Sequence, residues 1–256
     1  MDLPLARAVA SRLEVVPQTG STNADLRGLA DDVAHWPHLS ALITRNQTAG
    51  RGRLDRTWVA PDGSALAVSV LLRDLPSDPA ARGWIPLAAG LAMSEAIAAQ
   101  LPGRDVAVKW PNDVLVDGRK ICGILAEATP DGVIVGAGVN TAMTVGQLPV
   151  PTATSFAALG SEAEEDRLLA DYLSVLARVL AELVSAGDAR ASGLHAAVSA
   201  RCATLDADVR VSLPGDRILE GTATAIDAEG RLVVVAEGAD HAISAGDVVH
   251  VRPTGS

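Results

Sequence analysis

Lysine is almost missing from this chain. Of its 21 basic residues among 256, only Lys109 and Lys120 are lysines and the other 19 are arginines. The two cations serve equally well on many surfaces and differ where geometry or hydration matters. The two lysines stand eleven residues apart and single out one stretch of chain, although codon bias explains the arginine excess equally well. Aromatic residues are scarce at 2%, so each of the four tryptophans is informative. The two cysteines, Cys122 and Cys202, stand outside any C-x-x-C spacing. That argues against a disulfide scaffold or a structural zinc site and fits a reducing, cytoplasmic setting. No apolar run approaches the roughly 18 residues that cross a bilayer. Met1-Asp2-Leu3-Pro4 does not lead from a basic stretch into an apolar one, so no signal peptide is expected. The histidines show no metal-binding spacing, and neither a G-x-x-x-x-G-K-[ST] loop nor a G-x-S-x-G elbow is present. A net charge of -10 opposes general nucleic-acid binding, which depends on neutralising phosphates.

What the chain does have is apolar material, 48% of it, enough for a sizeable core. The length suits one large domain, or one large and one small. Strand patterns fall at Leu13–Gln18, Ala41–Gln47, Ala65–Leu72, Val106–Trp110, Asp113–Val116, Lys120–Ala128 and Val133–Val139. Asp117-Gly118 and Asp131-Gly132 are hairpin signals between the last three. Helical patterns cover Asn23–Asp32, Gly83–Leu101, Arg167–Val184 and Ala189–Ala200, with Ser21 and Thr22 as capping candidates for the first. After Cys202 the character changes to short strands at Val209–Leu213, Gly221–Ile226, Leu232–Ala236 and Asp247–Val251, the pattern of a small barrel. This places a boundary near residue 203, giving units 1–202 and 203–256.

Five segments carry candidate chemistry. Gly50-Arg51-Gly52-Arg53-Leu54-Asp55-Arg56-Thr57-Trp58 gathers three arginines within six residues, which repel unless an anion joins them. Its glycines let the backbone approach a ligand, and Trp58 offers a face for a base. Taken alone, a solvated basic turn is the simpler account of such a loop. Lys109-Trp110-Pro111-Asn112-Asp113 ends a strand, and Asn112 brings both a donor and an acceptor; an ordinary turn explains it as well. Lys120-Ile121-Cys122-Gly123-Ile124-Leu125-Ala126-Glu127 alternates, so Lys120, Cys122, Ile124 and Ala126 are expected on one face. A lysine in line with apolar neighbours suits an anion, or else guards an edge strand. Gly123 removes a side chain where something can approach, and Cys122 reads as packing. Gly136-Ala137-Gly138-Val139-Asn140 is a weak signal that tight packing explains, and capping explains Ser21-Thr22-Asn23.

In chain order, from Ser21-Thr22-Asn23 through Gln47–Trp58, Lys109–Asp113 and Arg119–Glu127 to Gly136–Asn140, the segments resemble the biotin–protein ligases. The resemblance spans about residues 10 to 252 and rests above all on G-R-G-R-x-x-R-x-W followed by K-W-P-N-D. It implies an α+β fold: a mixed β-sheet with flanking helices, as in class II aminoacyl-tRNA synthetases, then a small SH3-like barrel. It further implies that biotin and MgATP give biotinyl-5′-AMP, from which biotin passes to a lysine of a biotin carboxyl carrier protein. In the implied site Lys120 lies between the biotin carboxylate and the α-phosphate. Ser21, Thr22, Asn23, Gln47 and the backbone from Gly50 to Gly52 meet biotin, with Gly123 close by. Arg51 and Arg53 close over the adenylate, Trp58 stacks near adenine, Arg56 serves the phosphates, and Asn112 and Asn140 lie on the nucleotide side. The resemblance assigns no Mg²⁺ ligand and gives Lys109 no role. With only about twenty residues before Ser21, the class expected is the one without a DNA-binding domain, acting as a monomer or weak homodimer with no nucleic-acid or membrane partner. A lipoate–protein ligase of the same fold, or a non-catalytic transcriptional regulator, are the alternatives.

Overall fold

The computed structural model describes residues 1–53, 56–213, 217–244 and 247–250; Leu54, Asp55 and Val251, all part of the expectations above, lie outside them. Helix α1 (Pro4–Val9) is too short to show a period in the sequence. Pro4 sits in its first turn, and the Asp166 carboxylate accepts from the N–H groups of Leu5 and Ala6 at 3.0 and 2.9 Å. Strand β1 (Arg12–Val15) leads to α2 (Thr22–Leu29), which begins where capping chemistry predicts. There Ser21 Oγ accepts from the Ala24 N–H at 3.4 Å, and Asp25 lies in the positive first turn. Next come β2 (Ser40–Thr44), β3 (Gly50–Arg51), β4 (Thr57–Trp58) and β5 (Ala65–Leu72). The segment expected as a plain loop is therefore a hairpin, with Gly50 opposite Trp58 and Arg51 opposite Thr57.

Helix α3 (Ile85–Gln100) is buried on nearly every side and follows a 3-10 turn over Pro79–Trp84. Strands β6 (Val106–Lys109), β7 (Asp113–Val116), β8 (Arg119–Thr129) and β9 (Gly132–Asn140) form successive antiparallel pairs. Helix α4 (Glu165–Ala186) is amphipathic and buries Leu169, Leu173, Leu176 and Leu180 on the expected face. Helix α5 (Leu194–Arg201) starts later than its apolar pattern suggests. Gly187 and Gly193 take φ of +71° and +80°, and Asp188 accepts from the N–H groups of Arg190 and Ala191 at 2.8 Å, which fixes a turn between the helices.

The seven-stranded sheet runs β1-β2-β5-β9-β8-β7-β6, with β1 and β2 parallel and every other neighbour antiparallel. One face packs on α3 and α4 in the main core. The other carries α2 over a second cluster of Leu26, Trp36, Leu42, Leu71 and Ile134. Beyond α5, strands β10 (Asp208–Leu213), β11 (Arg217–Ile226), β12 (Leu232–Ala236), β13 (Ala239–Ile243) and β14 (Asp247–His250) form an antiparallel sheet ordered β13-β12-β11-β10-β14. The fold is α+β, as expected. Strand β13 escapes a sequence reading because Ala-Asp-His-Ala-Ile shows no apolar alternation. The main apolar core continues from the large sheet into Val209, Val211, Ile226 and Val234 of the small one.

Candidate active site

Strand register builds the floor of a cavity on the α2 face. Ala67 of β5, Gly138 of β9, Gly123 of β8 and Asp113 of β7 lie in one row across the sheet. Ser69, Gly136 and Leu125 form the next row, two residues along. The small residues make room for specific neighbours. A Cβ at Gly138 would lie 2.7 Å from Cε2 of Trp58, and one at Gly136 would overlap Asn23 Oδ1. One at Gly123 would lie 3.1 Å from Lys120 Nζ.

Apart from Gly50 and Asn140, every residue singled out for the site lines this one cavity. Gly50 lies behind it, where a side chain would meet the Gln47 amide and the Trp58 carbonyl at 2.5 Å. Asn140 is not brought to the cavity, contrary to its expected place on the nucleotide side. It ends β9 opposite Ala65, and its buried amide donates to the Thr154 carbonyl at 2.9 Å, bracing the chain that follows.

Alternation along β8 also needs correction. The pairing with β7 shifts between Val114–Cys122 and Leu115–Lys120, a bulge that inserts one residue. Lys120 is thereby turned to the cavity beside Gly123, while Cys122 points into the core with Ile124. Burial pushes the Cys122 thiol far above its usual range, an inert packing group.

The two ends of the cavity differ in chemistry. At one end Lys120 Nζ lies 2.7 Å from Asp113 Oδ1, an ionic contact off the line of a hydrogen bond. The backbone of Lys120 is clamped on both sides, its N–H to the Thr152 carbonyl and its carbonyl to the Thr154 N–H, each at 2.8 Å. Nearby, Asn112 Nδ2 donates to the Ile124 carbonyl at 2.8 Å, and its Oδ1 accepts from Arg53 at 2.9 Å. Lys109 lines the same end. Burial first, and then this lysine's charge, hold the adjacent His250 of β14 below the usual histidine range.

At the other end Gln47 Oε1 accepts from the Thr22 N–H at 2.9 Å and lies 3.1 Å from its hydroxyl. Asn23 is fully engaged as a donor: Nδ2 serves the Leu125 carbonyl at 3.2 Å and Glu127 at 2.7 Å. Ser69 Oγ stands 2.7 Å from Thr22 Oγ1 and 2.5 Å from Asn23 Oδ1, supporting both from below. Along β8 the lining runs from Lys120 and Gly123 to Leu125, and Glu127 stands just beyond it. The cavity is thus elongated, with a cation and carboxylate at one end and amide and hydroxyl groups at the other.

The hairpin lies across it and engages both ends. Arg53 reaches Asn112, whereas Arg51 lies 3.8 Å from Glu127. The small C-terminal sheet closes one wall with Val248 and is tied down through the K-W-P-N-D segment. There the Trp110 N–H donates to Thr204 Oγ1 at 3.0 Å, and its indole donates to the Gly230 carbonyl at 2.9 Å.

Sequence reasoning missed Ser69, Asp113, Glu127, Gly136, Gly138 and Val248. The G-x-G spacing of Gly136 and Gly138 was the one available signal, since it puts both on the same strand face. The others depend on register and on the docking of distant segments.

An elongated cavity floored by small residues, charged at one end and polar at the other, under a Gly/Arg hairpin, defines a ligase-type site for an acid and a nucleotide. Residues 15–140 match the biotin/lipoate A/B protein ligase family, and residues 204–251 match the biotin protein ligase C-terminal domain. The chain is 40% identical over 243 residues to the biotin–[acetyl-CoA-carboxylase] ligase of Mycobacterium tuberculosis, covering 94% of this chain and 90% of that one. The fold matches that of a biotin protein ligase from Aquifex aeolicus, solved with biotin and ATP, at a TM-score of 0.76 and 24% identity, over 94% of this chain and 99% of that one. A biotin protein ligase from Leishmania major, solved with biotinyl-5-AMP, matches at a TM-score of 0.64 and 26% identity, over 92% and 99%. The chain belongs to the biotin/lipoate A/B protein ligase family.

Proposed function

We propose that this chain is an ATP-dependent biotin–protein ligase. It forms biotinyl-5′-AMP from biotin and ATP, then transfers biotin to a lysine of a biotin carboxyl carrier protein. The observation that carries this reading is the cavity's polarity: Thr22 and Gln47 at one end, Lys120 and Asp113 at the other, over one sheet face. That arrangement suits a ligand with a ureido ring at one end and a carboxylate at the other.

The first step brings the biotin carboxylate onto the α-phosphate, and two anions repel. Lys120 is proposed to sit between them. Its ammonium is compact enough to reach oxygens on two groups, whereas a guanidinium favours one bidentate face. The clamped backbone and Asp113 hold that charge in place before substrate arrives, the preorganisation that electrostatic catalysis requires. Arg53 and Arg56 are the groups for the nucleotide's phosphates, with Trp58 for the adenine ring and Asn112 as the anchor that draws Arg53 over. Arg51 belongs to the biotin end in this reading, because its partner is Glu127. Gly52 and Gly123 give backbone access, and Ser21 holds the start of α2 so that Thr22 and Asn23 face the ligand. Asp113 is the single carboxylate among the described lining residues, which suits a Mg²⁺ carried on the phosphates rather than caged by protein. Such an ion neutralises the developing charge of the pyrophosphate.

The division into a catalytic unit 1–202 and a C-terminal unit 203–256 is part of the same reading, supported by the change of sheet after α5. So are residence in the cytoplasm, which two buried free cysteines suit, and action as a monomer or weak homodimer. No helix among the described residues is long and apolar enough to cross a membrane. The test is incubation with biotin, MgATP and a carrier domain, followed by mass spectrometry. One added biotin per carrier is expected; lipoyl-adenylate formed in place of biotinyl-adenylate would overturn the assignment.

A further inference from the structure

Glu127 has no part in the chemistry above, yet it ties its own strand β8 to two other elements, α2 and the hairpin. It lies on β8 with its side chain only 18% exposed. One carboxylate oxygen accepts from Asn23 of α2 at 2.7 Å. The other accepts from Arg27, one turn further along α2, at 2.9 Å and stands 3.8 Å from Arg51 of the hairpin. An exposed ion pair does little by itself. Here a largely buried carboxylate must keep its partners, because a buried charge stripped of them is costly.

The consequence for Asn23 is directional. With both Nδ2 hydrogens committed to Leu125 and Glu127, Oδ1 turns toward Ser69, which also supports Thr22. Thr22 in turn meets Gln47 through its backbone N–H, which leaves its hydroxyl proton for Ser69. An unbroken line of hydrogen bonds therefore joins Glu127 to the polar end of the cavity. The looser contact with Arg51, a residue 51% exposed, ties the hairpin to the same point.

We propose that Glu127 is a positioning residue for the biotin end of the site. Through Asn23 it sets the polar groups that read the ligand's ring, and through Arg51 it registers the hairpin over that ring. This rests on the reading of the cavity as a biotin site.

The test uses the full chain with a saturating carrier domain and biotin-dependent pyrophosphate release, with biotin and ATP varied separately. Wild-type turnover that requires biotin establishes the site, and its absence would bring down that reading and this inference together. Given such turnover, Glu127→Ala is expected to raise KM for biotin about tenfold while kcat and KM for ATP move less than about twofold, the scale of one lost charge-assisted hydrogen bond. Glu127→Gln keeps an acceptor for Asn23 and is expected to raise KM for biotin only about threefold. Arg51→Ala is expected to act about threefold alone and to add less than about twofold on the Glu127→Ala background, because linked groups are not additive. If Glu127→Ala fails to fold, Glu127→Gln paired with Arg51→Ala carries the same comparison. An unchanged biotin KM in the Glu127 variants, or additive effects with Arg51→Ala, would overturn the proposal. So would a rise in both KM values together with a lowered Tm, which would mark a merely structural role.

Discussion

Strand β8 and the Gly50–Trp58 hairpin hold the same cavity by opposite means. Strand β8 pairs with β9 from Cys122 to Thr129 and with β7 from Arg119 to Gly123, and the Thr152–Thr154 segment holds Lys120 on its other side, so Lys120 and Gly123 stand on a backbone fixed from both sides. The hairpin has two paired positions on each strand, seats Trp58 over Gly138, and reaches the rest of the site through Arg51–Glu127 and Arg53–Asn112, contacts that a substrate anion can replace. One region is a frame and the other a clasp. On the proposed reading the steps divide accordingly: the frame makes the adenylate, and the clasp retains it until the carrier arrives.

Substitutions can break that contrast from either side. The largest effect is expected from Lys120→Arg, which keeps the charge but loses the compact ammonium. Adenylate formation should fall roughly 10²–10³-fold, the scale of removing one preorganised electrostatic group, as measured by biotin-dependent pyrophosphate release. Gly136→Val attacks the frame elsewhere, since its first added carbon would overlap Asn23 Oδ1. Overpacking of this kind costs about 1–3 kcal/mol, so a lowered Tm and a weaker affinity for biotin are expected, both readable by thermal shift with and without biotin. Arg53→Gly works on the clasp alone. Formation should fall far less than in Lys120→Arg, because Arg56 still serves the phosphates, while escape of reactive adenylate should rise several-fold, about the worth of one charge-assisted hydrogen bond, seen as biotin on bystander proteins.

The smallest effect is on pH. His250 and His38 have pKa values below the histidine norm, His250 through burial and then Lys109, and His38 through burial first. The unfolded chain therefore binds protons first, at about pH 6.5. Stability is full above that pH and declines as the pH falls below it, toward the lower folded values. Denaturant titrations at pH 7.5 and 5.5 should show this loss, and His250→Gln should reduce it.

The sequence announced these two regions unequally. Strands β5, β7, β8 and β9 were legible from alternation and hairpin signals, and α2 from its Ser21 cap, because those signals are local. The cavity face of Lys120 was not, because one bulge in the pairing with β7 reverses a period of two. Gly136 and Gly138 looked like packing until register put them beneath Asn23 and Trp58. Asn140 carried a plausible side chain, but the structure spends its amide on Thr154. Trp110 shows the same limit, since its partners Thr204 and Gly230 are about a hundred residues away and no local pattern points to them. The scarcity of lysine pointed to the same place as the motifs. Both lysines line one cavity, Lys120 on the frame and Lys109 where the C-terminal sheet closes the wall.

The most direct test of frame and clasp is to measure adenylate formed and adenylate retained per active site after mixing with biotin and MgATP, in the wild-type chain, Lys120→Arg and Arg53→Gly. The account predicts that the wild type forms and retains it, Arg53→Gly forms and releases it, and Lys120→Arg does not form it. Near-normal formation in Lys120→Arg, or full retention in Arg53→Gly, would contradict it.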